Sequence, residues 1–556
     1  MKHILRLFAC ASLFFIFHFS FFILSAQPLP QGYFRSPLDG PIALSATFAE
    51  LRMNHFHGGI DMRTGGEIGK PVYAAADGYV SRISVSPWGG GKILYIAHAN
   101  GYTSVYMHLN DYAGNIGKAV LKEQYERRSY SVVRTFSPGE LPVSQGQLVA
   151  HSGNTGGSAG PHLHFELRET ATGRTINPLL FGLPYTDNIR PVIRGIKVYP
   201  IGGRPVDVGT AHSVSVGGSF YIGVYATDAA EGSTPKNGPD RVEVYSDGSL
   251  LFMYTTDAFC IDSGRVSNAI MDFTHFSGSR QPYIVTRSLP GAEGEWVPVR
   301  QTGGIVSFGA DTLHRITVKV FDIKGNSAEQ SFTVRLDPTL ASAGSLETNA
   351  NMCYRKSWQY SCTAFSAEMP AHTLYADDRM HTAVENYTQY ISPVCTVEPS
   401  INRFPPQRAF TISINKTPNI SVTPDKVAVV HISPAKKLTA YKTTYADGRY
   451  TASVREFGRF VLMADTEDPQ VRAINFSEDR PLKVRLLKVK ITDNLSGVET
   501  YNCYLNGQWI LGEFDGKTAT VSIDTGNKLK PGKNELQVDV TDGCGNLARH
   551  HWTLTK

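Results

Sequence analysis

Two short segments of the sequence carry histidine and acidic side chains at spacings that suit a metal ion. Residues 54–64 read Asn-His-Phe-His-Gly-Gly-Ile-Asp-Met-Arg-Thr and contain His57 and Asp61, while the later segment Gly-Pro-His-Leu-His-Phe-Glu contains His162 and His164. Alternate residues of a strand point to one face, so both imidazoles of the second segment project into the same space. Two neutral imidazoles and a carboxylate suit Zn²⁺, and three protein ligands leave a fourth position for water. The pattern predicts a zinc hydrolase.

The segments between these histidines are typical of short strands separated by turns. β-Branched and aromatic runs at 72–75, 79–85 and 92–97 are bounded by Gly, Pro and Asn, and no long helical periodicity interrupts them. A further run at 101–109 carries His108 near its end, and Gly-rich turns follow at 146–156. An antiparallel β-sheet is therefore expected to position the candidate site, and the predicted fold class is all-β.

In this order the motifs resemble the lysostaphin/LytM-type zinc metallopeptidases, secreted enzymes that cut peptide cross-links of peptidoglycan. The resemblance covers about residues 40–180 and rests on several separate motifs. It implies that the metal ligands are His57, Asp61 and His164, and that two catalytic histidines outside the ligand set are His108 and His162. All five positions carry the family's residue.

The positions of the two histidines indicate how they divide the chemistry. His162, beside ligand His164, is expected to act on the attacking water, and His108 to contact the oxygen of the tetrahedral intermediate; an exchange or a sharing of the two roles stays open. The sequence has no His-Glu-x-x-His helix motif, so a glutamate base is not supported.

Other titratable residues are better explained by structural roles. His98 is expected to be a hydrogen-bonded core residue and His55 to face solvent. Glu166 is interpreted as a carboxylate on a strand face, with orientation of a metal ligand or binding of substrate as the alternative. A short helix is one interpretation of 374–390, where His381 and Glu385 would form a solvated helix face.

Residues 110–144 form an insertion relative to the family, with a charged stretch at 122–128. Because this insertion leaves the chain directly after His108, one interpretation is that it forms a wall of the substrate groove. The alternative is a surface hairpin without a role in the site.

The first 26 residues predict a secretory signal peptide. A basic start is followed by an apolar, Phe-rich run from Leu7 to Leu24 and the small residue Ala26. The run is also long enough to span a membrane, so a retained anchor is the alternative. The predicted location is the periplasm or cell envelope, with the outer surface left open.

Charge and cysteine content narrow the classes of partner. Removal of Lys2 and Arg6 with the signal lowers the formal net charge from +5 to +3 over a long chain, which argues against nucleic-acid binding and permits contact with an anionic wall. An even number of cysteines beyond the signal allows disulfides in an exported protein. These are Cys260, Cys353, Cys362, Cys395, Cys503 and Cys544. The pair chosen for testing is Cys503 with Cys544; two buried free thiols are the alternative.

An internal repeat begins after Pro184. Each copy opens on an Asp-x-x-x-Pro segment, continues through an alternating strand followed by Thr-Asp, and closes with two alternating runs joined by an Asp-x-x-Gly-Asn turn. The matching aspartates are Asp187 and Asp465, Asp228 and Asp493, and Asp322 and Asp542. The pattern predicts a terminal β-hairpin in each copy, within an immunoglobulin-like β-sandwich.

These observations divide the chain into five predicted segments. They are a signal peptide at 1–26, a LytM-type metallopeptidase domain at 27–186, an Ig-like sandwich at 187–336, a β-rich region of uncertain fold at 337–464, and a second Ig-like sandwich at 465–556. The first sandwich carries an insertion at about residues 234–304, which makes it longer than the second.

The predicted function is a secreted zinc-dependent endopeptidase that hydrolyses peptide cross-links or stems of bacterial peptidoglycan with a metal-activated water. The C-terminal modules show no chemistry in their sequences and are expected to act as spacers or to contact the envelope or its proteins. Two alternatives stay open: a non-enzymatic module that binds cell wall or activates another hydrolase, and a zinc peptidase that acts on proteins.

Overall fold

The computed structural model describes residues 28–233, 236–292, 299–309, 311–340, 350–418 and 421–556. Strands dominate these ranges, so the predicted all-β class is confirmed. The described α-helices are Gly114–Arg127, Ser267–Ile270 and Phe273–Ser279, and the 3₁₀ turns are Pro178–Phe181, Ile261–Val266, Thr302–Gly304 and Pro424–Lys426. None of the described helices is long and apolar enough to cross a membrane. The predicted signal peptide at 1–26 lies outside the described residues.

The central element of the N-terminal region is a large antiparallel sheet. Its strands are, in spatial order, Leu44–Ala46, Ile60–Arg63, His162–Glu169, Tyr102–Met107, Lys92–Ala97, Gly78–Val85 and Val132–Thr135. The short strand Pro142–Val143 also pairs with Gly78–Val85. A smaller sheet contains Pro71–Tyr73, Leu148–His151 and Asp111–Tyr112, and Leu51–Arg52 pairs with His55–Phe56. The large sheet is stabilised by burial of alternate apolar residues, such as Leu94 and Ile96.

The large sheet continues into the region that follows residue 187. Thr175–Ile176 pairs with His162–Glu169 on one side and with Ala258–Phe259 on the other. Phe259 packs against Phe48 and Phe56, with ring centroids 5.2 Å apart in both contacts. The insertion of the first repeat is therefore held against the N-terminal sheet by backbone hydrogen bonds and by a shared apolar core.

The 110–144 insertion contains a helix, Gly114–Arg127, and the strand Val132–Thr135. The helix was not predicted from the sequence, because Gly114 and Gly117 weaken the helical signal. Gly117 is required by packing: a Cβ there would lie 2.4 Å from the carbonyl oxygen of Tyr112. The helix buries Ile116 and Val120.

The first repeat contains two sheets around one core. One sheet orders the strands Val206–Asp207, Val192–Pro200, Phe220–Thr227 and Ile284–Val285. The other orders Ser213–Val216, Ser327–Leu336, Leu313–Phe321, Arg241–Ser246, Ser249–Thr255 and Val299–Arg300. The predicted terminal hairpin is confirmed, since Leu313–Phe321 pairs antiparallel with Ser327–Leu336.

The second repeat has the same plan in a shorter chain. One sheet orders Gln470–Ala473, Leu486–Thr492, Thr520–Asp524 and Gly512–Asp515, and the other orders Gln508–Ile510, Val498–Leu505, Lys533–Asp542 and Leu547–Thr555. Its predicted terminal hairpin is also confirmed. This repeat docks on the N-terminal region: Trp509 packs on Tyr125 of the inserted helix with centroids 5.1 Å apart, and Glu513 pairs with Lys92 at 2.9 Å.

The region between the repeats contains two five-stranded sheets. One sheet orders Trp358–Ser361, Phe365–Met369, Phe410–Asn415, Arg449–Val454 and Thr443–Ala446. The other orders Met380–Glu385, Val394–Pro399, Gly458–Ala464, Val427–Ile432 and Leu438–Tyr441. The short helix considered for 374–390 is wrong, because Met380–Glu385 is a strand paired with Val394–Pro399. His381 and Glu385 accordingly lie on a strand.

The six cysteines of the described ranges all have free thiols, so the pairing considered for Cys503 and Cys544 is wrong. Cys503 lies in the core shared by the N-terminal region and both repeats, whereas Cys544 packs with residues of the region between the repeats. Burial raises the pKa of Cys503 to about 12, which makes this thiol a poor nucleophile.

Two buried tyrosines provide a matched test of hydrogen bonding in these cores. Tyr106 accepts hydrogen bonds from the backbone N–H of Ala75 at 2.8 Å and from Ser104 Oγ at 3.0 Å. The buried hydroxyl of Tyr450 has no hydrogen-bond partner among the described residues. Tyr106→Phe should lower the free energy of unfolding by about 1–3 kcal/mol, because it leaves a buried N–H unsatisfied.

Tyr450→Phe should leave the free energy of unfolding unchanged or raise it, because it removes a hydroxyl without a partner. Urea unfolding followed by circular dichroism measures both variants. Equal destabilisation by the two substitutions would contradict this account.

Candidate metal centre

The register of the large sheet brings His57, Asp61 and His164 together. His164 on the strand His162–Glu169 lies directly opposite Asp61. His57 follows the hairpin formed by Leu51–Arg52 and His55–Phe56, and its N–H donates to the carbonyl of Glu50. The side-chain contacts are short: His57 Nε2 lies 3.0 Å from both Asp61 Oδ1 and His164 Nδ1, and His164 Nδ1 lies 2.8 Å from Asp61 Oδ1. All three residues are buried, with exposed fractions of 3%, 7% and 6%. The structure thus places one atom from each around a common point.

Hydrogen bonds on the far side of each ring determine which atoms face that point. His57 Nδ1 donates to the carbonyl of Thr47 at 2.7 Å, and His164 Nε2 donates to Glu166 Oε1 at 2.9 Å. In the neutral tautomers these bonds select, His57 Nε2 and His164 Nδ1 carry lone pairs. In this neutral form two lone pairs and a carboxylate oxygen face one another, so a proton or a metal ion is needed between them. A cation relieves this repulsion, and the donor set fits Zn²⁺.

The charged groups of the centre shift one another's pKa values. Burial would raise the pKa of Asp61, but the neighbouring His57, His162 and His164 outweigh burial and hold that pKa well below its usual range. Burial opposes protonation of His164, but hydrogen bonds to Asp61 and Glu166 raise its pKa to about 9. A metal ion therefore replaces a proton at this ring when it binds.

His108 and His162 form the second half of the centre. Their ring centroids lie 4.8 Å apart, and that of His108 lies 6.0 Å from His164. His108 Nδ1 donates to the carbonyl of Thr155 and His162 Nδ1 to that of Gly160, each at 2.8 Å, so Nε2 is the nitrogen of each ring that remains for the centre. Nε2 of His162 lies 3.4 Å from Asp61 Oδ1. Burial, and then the charges of His164 and His162, lower the pKa of His108 to about 4. At neutral pH its Nε2 is a proton acceptor.

The backbone of His108 is itself unusual. It adopts a positive φ of 61° directly after the strand Tyr102–Met107, and its N–H donates to the carbonyl of Gly90 at 2.8 Å. This left-handed conformation costs energy for a residue with a side chain. It ends the strand and leaves the ring in contact with His162 and His164.

The structure favours the alternative considered for Glu166, the orientation of a ligand histidine, over a strand-face carboxylate without a role in the site. Its exposed fraction is only 2%; its Oε1 accepts the bond from His164, and its Oε2 accepts one from Arg168 Nε at 2.5 Å. A carboxylate behind a ligand histidine orients the ring and raises its basicity. The available signal was the alternation of His162, His164, Glu166 and Arg168, which all lie on one face of the same strand.

Two glycines allow the close approach of these elements. A Cβ at Gly59 would lie 2.3 Å from the carbonyl oxygen of Phe165, and one at Gly58 would lie 2.8 Å from Glu166 Oε1. Side chains at these positions would separate the two strands or displace Glu166 from His164. The Gly-Gly pair between His57 and Asp61 is therefore a packing requirement.

The centre opens into a groove of about 980 Å³. One edge is formed by Gly89, Gly90 and residues 157–161, and another by the hairpin residues Glu50, Arg52 and His55. A third comes from the insertion of the first repeat, through Phe259, Ile261 and Gly264. The described residues that line the groove include none from 110–144, so the interpretation of that insertion as a groove wall is wrong.

The remaining histidines near the centre lie outside it. His98 is buried and hydrogen bonded to the carbonyl of Asp77 and to Ser104 Oγ, each at 2.8 Å, as expected for a core residue. His55 is exposed at the groove edge. His151 pairs with Asp111 at 2.5 Å on the smaller sheet.

Two imidazoles and a carboxylate around one point, with two further imidazoles on the open side, are the features of a mononuclear metallohydrolase. The family described as Peptidase family M23 matches residues 55–125 and 133–178. The chain belongs to this family. A Zu5-like domain matches residues 349–465, the region between the repeats.

Individual relatives share the N-terminal part of the chain. An uncharacterized metalloprotease of Haemophilus influenzae is 32% identical over 29% of this chain and 30% of its own length. The peptidoglycan DD-endopeptidase ShyA of Vibrio cholerae is 29% identical over 30% of this chain and 33% of its own. Lipoprotein NlpD of Yersinia enterocolitica is 32% identical over 21% of this chain and 93% of its own. The chain thus spans about a third of the length of the first two relatives.

Substitution of Glu166 tests its role behind His164. Glu166→Gln keeps the shape but removes the charge that holds the ring, so zinc affinity should fall by about 10- to 100-fold. Competition with a chromophoric chelator measures the affinity. Glu169→Gln on the same strand is the control, because Glu169 faces Arg174 and Thr172 instead of the centre. Equal affinities in the two variants would refute an orienting role for Glu166.

Proposed function

We propose that the chain is an exported zinc-dependent endopeptidase that hydrolyses peptide cross-links or stems of bacterial peptidoglycan. The observation that carries the proposal is the convergence of two imidazole nitrogens and one carboxylate oxygen beside the rings of His108 and His162. Membership of the M23 family and the similarity to a protein named as a peptidoglycan DD-endopeptidase support the substrate class. The signal-like N-terminal pattern supports export.

His57 Nε2, Asp61 Oδ1 and His164 Nδ1 would hold the zinc ion, with Glu166 and the Thr47 carbonyl fixing the rings. When bound, zinc supplies Lewis acidity, which makes water a nucleophile near neutral pH and polarises a carbonyl group. Arg52 contacts the outer oxygen of Asp61 at 3.4 Å and so keeps Oδ1 directed at the ligand position.

His162 and His108 would handle the protons. His162 Nε2 lies 3.4 Å from Asp61 Oδ1, nearer the ligand atoms, and we assign to it the proton of the attacking water. His108 contacts the oxygen of the scissile carbonyl. Because its Nδ1–H is engaged with Thr155, His108 donates at that oxygen only after its Nε2 takes up a proton. A ring that has accepted a proton can deliver it to the leaving amine.

The groove is open enough for an extended peptide, and its third edge belongs to the first repeat. We therefore assign substrate positioning to both the M23 region and residues 258–264. For the C-terminal modules we retain Ig-like sandwiches at 187–336 and 465–556, supported by two sheets around one core in each. Their proposed work is to hold the catalytic region at a distance from the envelope or to contact its proteins.

Purified sacculi test the proposed activity. Wild-type protein should release cleaved stem peptides, detected by muropeptide mass spectrometry, and a chelator should abolish the release. His57→Ala and His164→Ala should lose both zinc and activity, whereas His108→Ala should keep zinc and lose activity by about 100-fold or more. His151→Ala, outside the centre, should keep both. Retention of zinc by the first two variants would refute the ligand assignment.

The outcome on sacculi also separates the alternatives. Tight binding to sacculi without products would support a wall-binding module, and cleavage of proteins with intact sacculi would support a protein-directed peptidase.

The groove wall from the first repeat is tested by Ile261→Arg. Ile261 lines the groove and is 40% exposed, so a long charged side chain there should obstruct substrate without disturbing the core. Release of stem peptides should fall by about tenfold or more with unchanged zinc content. Leu313→Arg is the control, because Leu313 is equally exposed at 43% in the same repeat but lies away from the groove. Similar activity of the two variants would contradict the assignment.

A further inference from the structure

Two clusters of three aspartates occupy equivalent positions in the two repeats. Within each cluster, one carboxylate oxygen from every residue lies within 4.8 Å of the others. The first aspartate opens the repeat, and the second directly follows a strand that ends in Thr. The third begins the turn of the terminal hairpin. The clusters are Asp187, Asp228 and Asp322, and Asp465, Asp493 and Asp542.

The same asparagine of the hairpin turn holds each cluster together. Asn326 Nδ2 donates to the backbone carbonyl of Asp187 at 3.1 Å and to Asp322 Oδ2 at 2.6 Å. Asn546 Nδ2 donates to the carbonyl of Asp465 at 3.1 Å and to Asp542 Oδ2 at 2.7 Å. The sequence repeat therefore preserves a three-dimensional arrangement, in which the asparagine joins the backbone of the first aspartate to the carboxylate of the third.

Buried carboxylate oxygens in both clusters lack a hydrogen-bond donor. Asp228 Oδ1 and Asp465 Oδ1 have no partner among the described residues, although these side chains are only 7% and 1% exposed. Asp493 Oδ1 is buried without a partner as well. None of the ion pairs formed between described residues involves any of the six aspartates. Unpaired buried charge of this kind is strongly unfavourable unless a cation compensates it.

The first cluster also shows mutual repulsion among its members. Burial, and then the nearby charges of Asp187 and Asp322, raise the pKa of Asp228 to about 8. Burial and the charge of Asp322 raise the pKa of Asp187 to about 6, although the N–H of Ile189 donates to this carboxylate. Asn237 offers a further, neutral oxygen near this cluster. Its backbone carbonyl accepts the N–H of Asp228 at 2.7 Å, and its buried Oδ1 has no hydrogen-bond partner among the described residues.

We propose that each cluster is a calcium-binding site, so that the chain holds two Ca²⁺ ions in addition to the metal of the groove. All available donors are oxygens, which excludes a preference for zinc and favours a hard cation. Two oxygens that bind one Ca²⁺ at 2.3–2.6 Å lie no more than about 5 Å apart, in agreement with the clusters. Ca²⁺ also tolerates irregular sets of 6–8 oxygens, whereas Mg²⁺ demands an octahedron.

The position of the clusters gives the ions a structural role. Asp187 lies where the first repeat follows the M23 region, and Asp465 directly follows the strand Gly458–Ala464 of the region between the repeats. Asp465 is tied to both sides of its junction, through its N–H to the carbonyl of Lys426 and through Oδ2 to the N–H of Ser496. A bound Ca²⁺ would fix the entry of each repeat and thereby its orientation relative to the preceding module.

Calcium titration of the full-length, zinc-loaded protein tests the proposal. After dialysis into calcium-free buffer, isothermal titration with CaCl2 should show two sites, and calcium should raise the unfolding temperature. Asp228→Asn and Asp493→Asn should each weaken one site by about tenfold or more, because calcium affinity follows the ligand charge count. The double variant should lose the calcium-dependent shift in unfolding temperature.

Matched controls are Asp247→Asn in the first repeat and Asp524→Asn in the second, since both carboxylates are paired elsewhere, with His314 and Arg485. They should bind calcium as the wild type does. Without calcium, Asp228→Asn should unfold at the same temperature as the wild type or higher, because one repelling charge is gone. Absence of binding at millimolar CaCl2, unchanged binding by the cluster variants, or a destabilised calcium-free Asp228→Asn protein would each overturn the proposal.

Discussion

The centre of the structure contains three buried atoms that repel one another unless a cation lies between them. His57 Nε2, His164 Nδ1 and Asp61 Oδ1 face a common point because Thr47 and Glu166 hold the opposite nitrogens of the two rings. Water is largely excluded from these side chains, so the repulsion is poorly screened. The sheet register that places His164 opposite Asp61 is therefore not only a packing solution but also the frame of the metal centre.

Much of the surrounding structure follows from keeping this frame in place while leaving one side open. The Gly58-Gly59 pair lets two strands approach within the space that a Cβ would fill, and Glu166 occupies the position thus made available. On the open side, residues 258–264 of the first repeat complete the groove, since Ala258–Phe259 pairs with Thr175–Ile176. The first repeat is thus structurally continuous with the M23 region, and the candidate calcium site of each repeat would act at the junction where that repeat follows the preceding module.

Local pattern explains why several elements were predictable from sequence. The strands of the large sheet and both terminal hairpins have alternating apolar residues and Gly-Asn turns, which depend only on near neighbours. The five candidate site residues were identified through motifs, and the structure brings all five together. For Glu166 the sequence left two interpretations open, because alternation places it on the face of His164 but does not show whether its carboxylate contacts that ring.

The elements that the sequence did not predict depend on contacts between residues that are distant in the chain. The helix Gly114–Arg127 contains glycines that only its contact with Tyr112 explains, and the strand Met380–Glu385 is determined by its partner Val394–Pro399. The contribution of residues 258–264 to the groove requires pairing across about eighty residues of chain, beyond the reach of pattern analysis. Cys503 and Cys544 resemble a disulfide pair in sequence but belong to different cores.

Zinc K-edge X-ray absorption on the full-length protein tests the central claim most directly, because it reports the atoms around the ion. The account predicts a shell of nitrogen and oxygen at about 2.0–2.2 Å with the scattering of two imidazoles and no sulfur. A thiolate sulfur near 2.3 Å, or the scattering of three or more imidazoles, would contradict it.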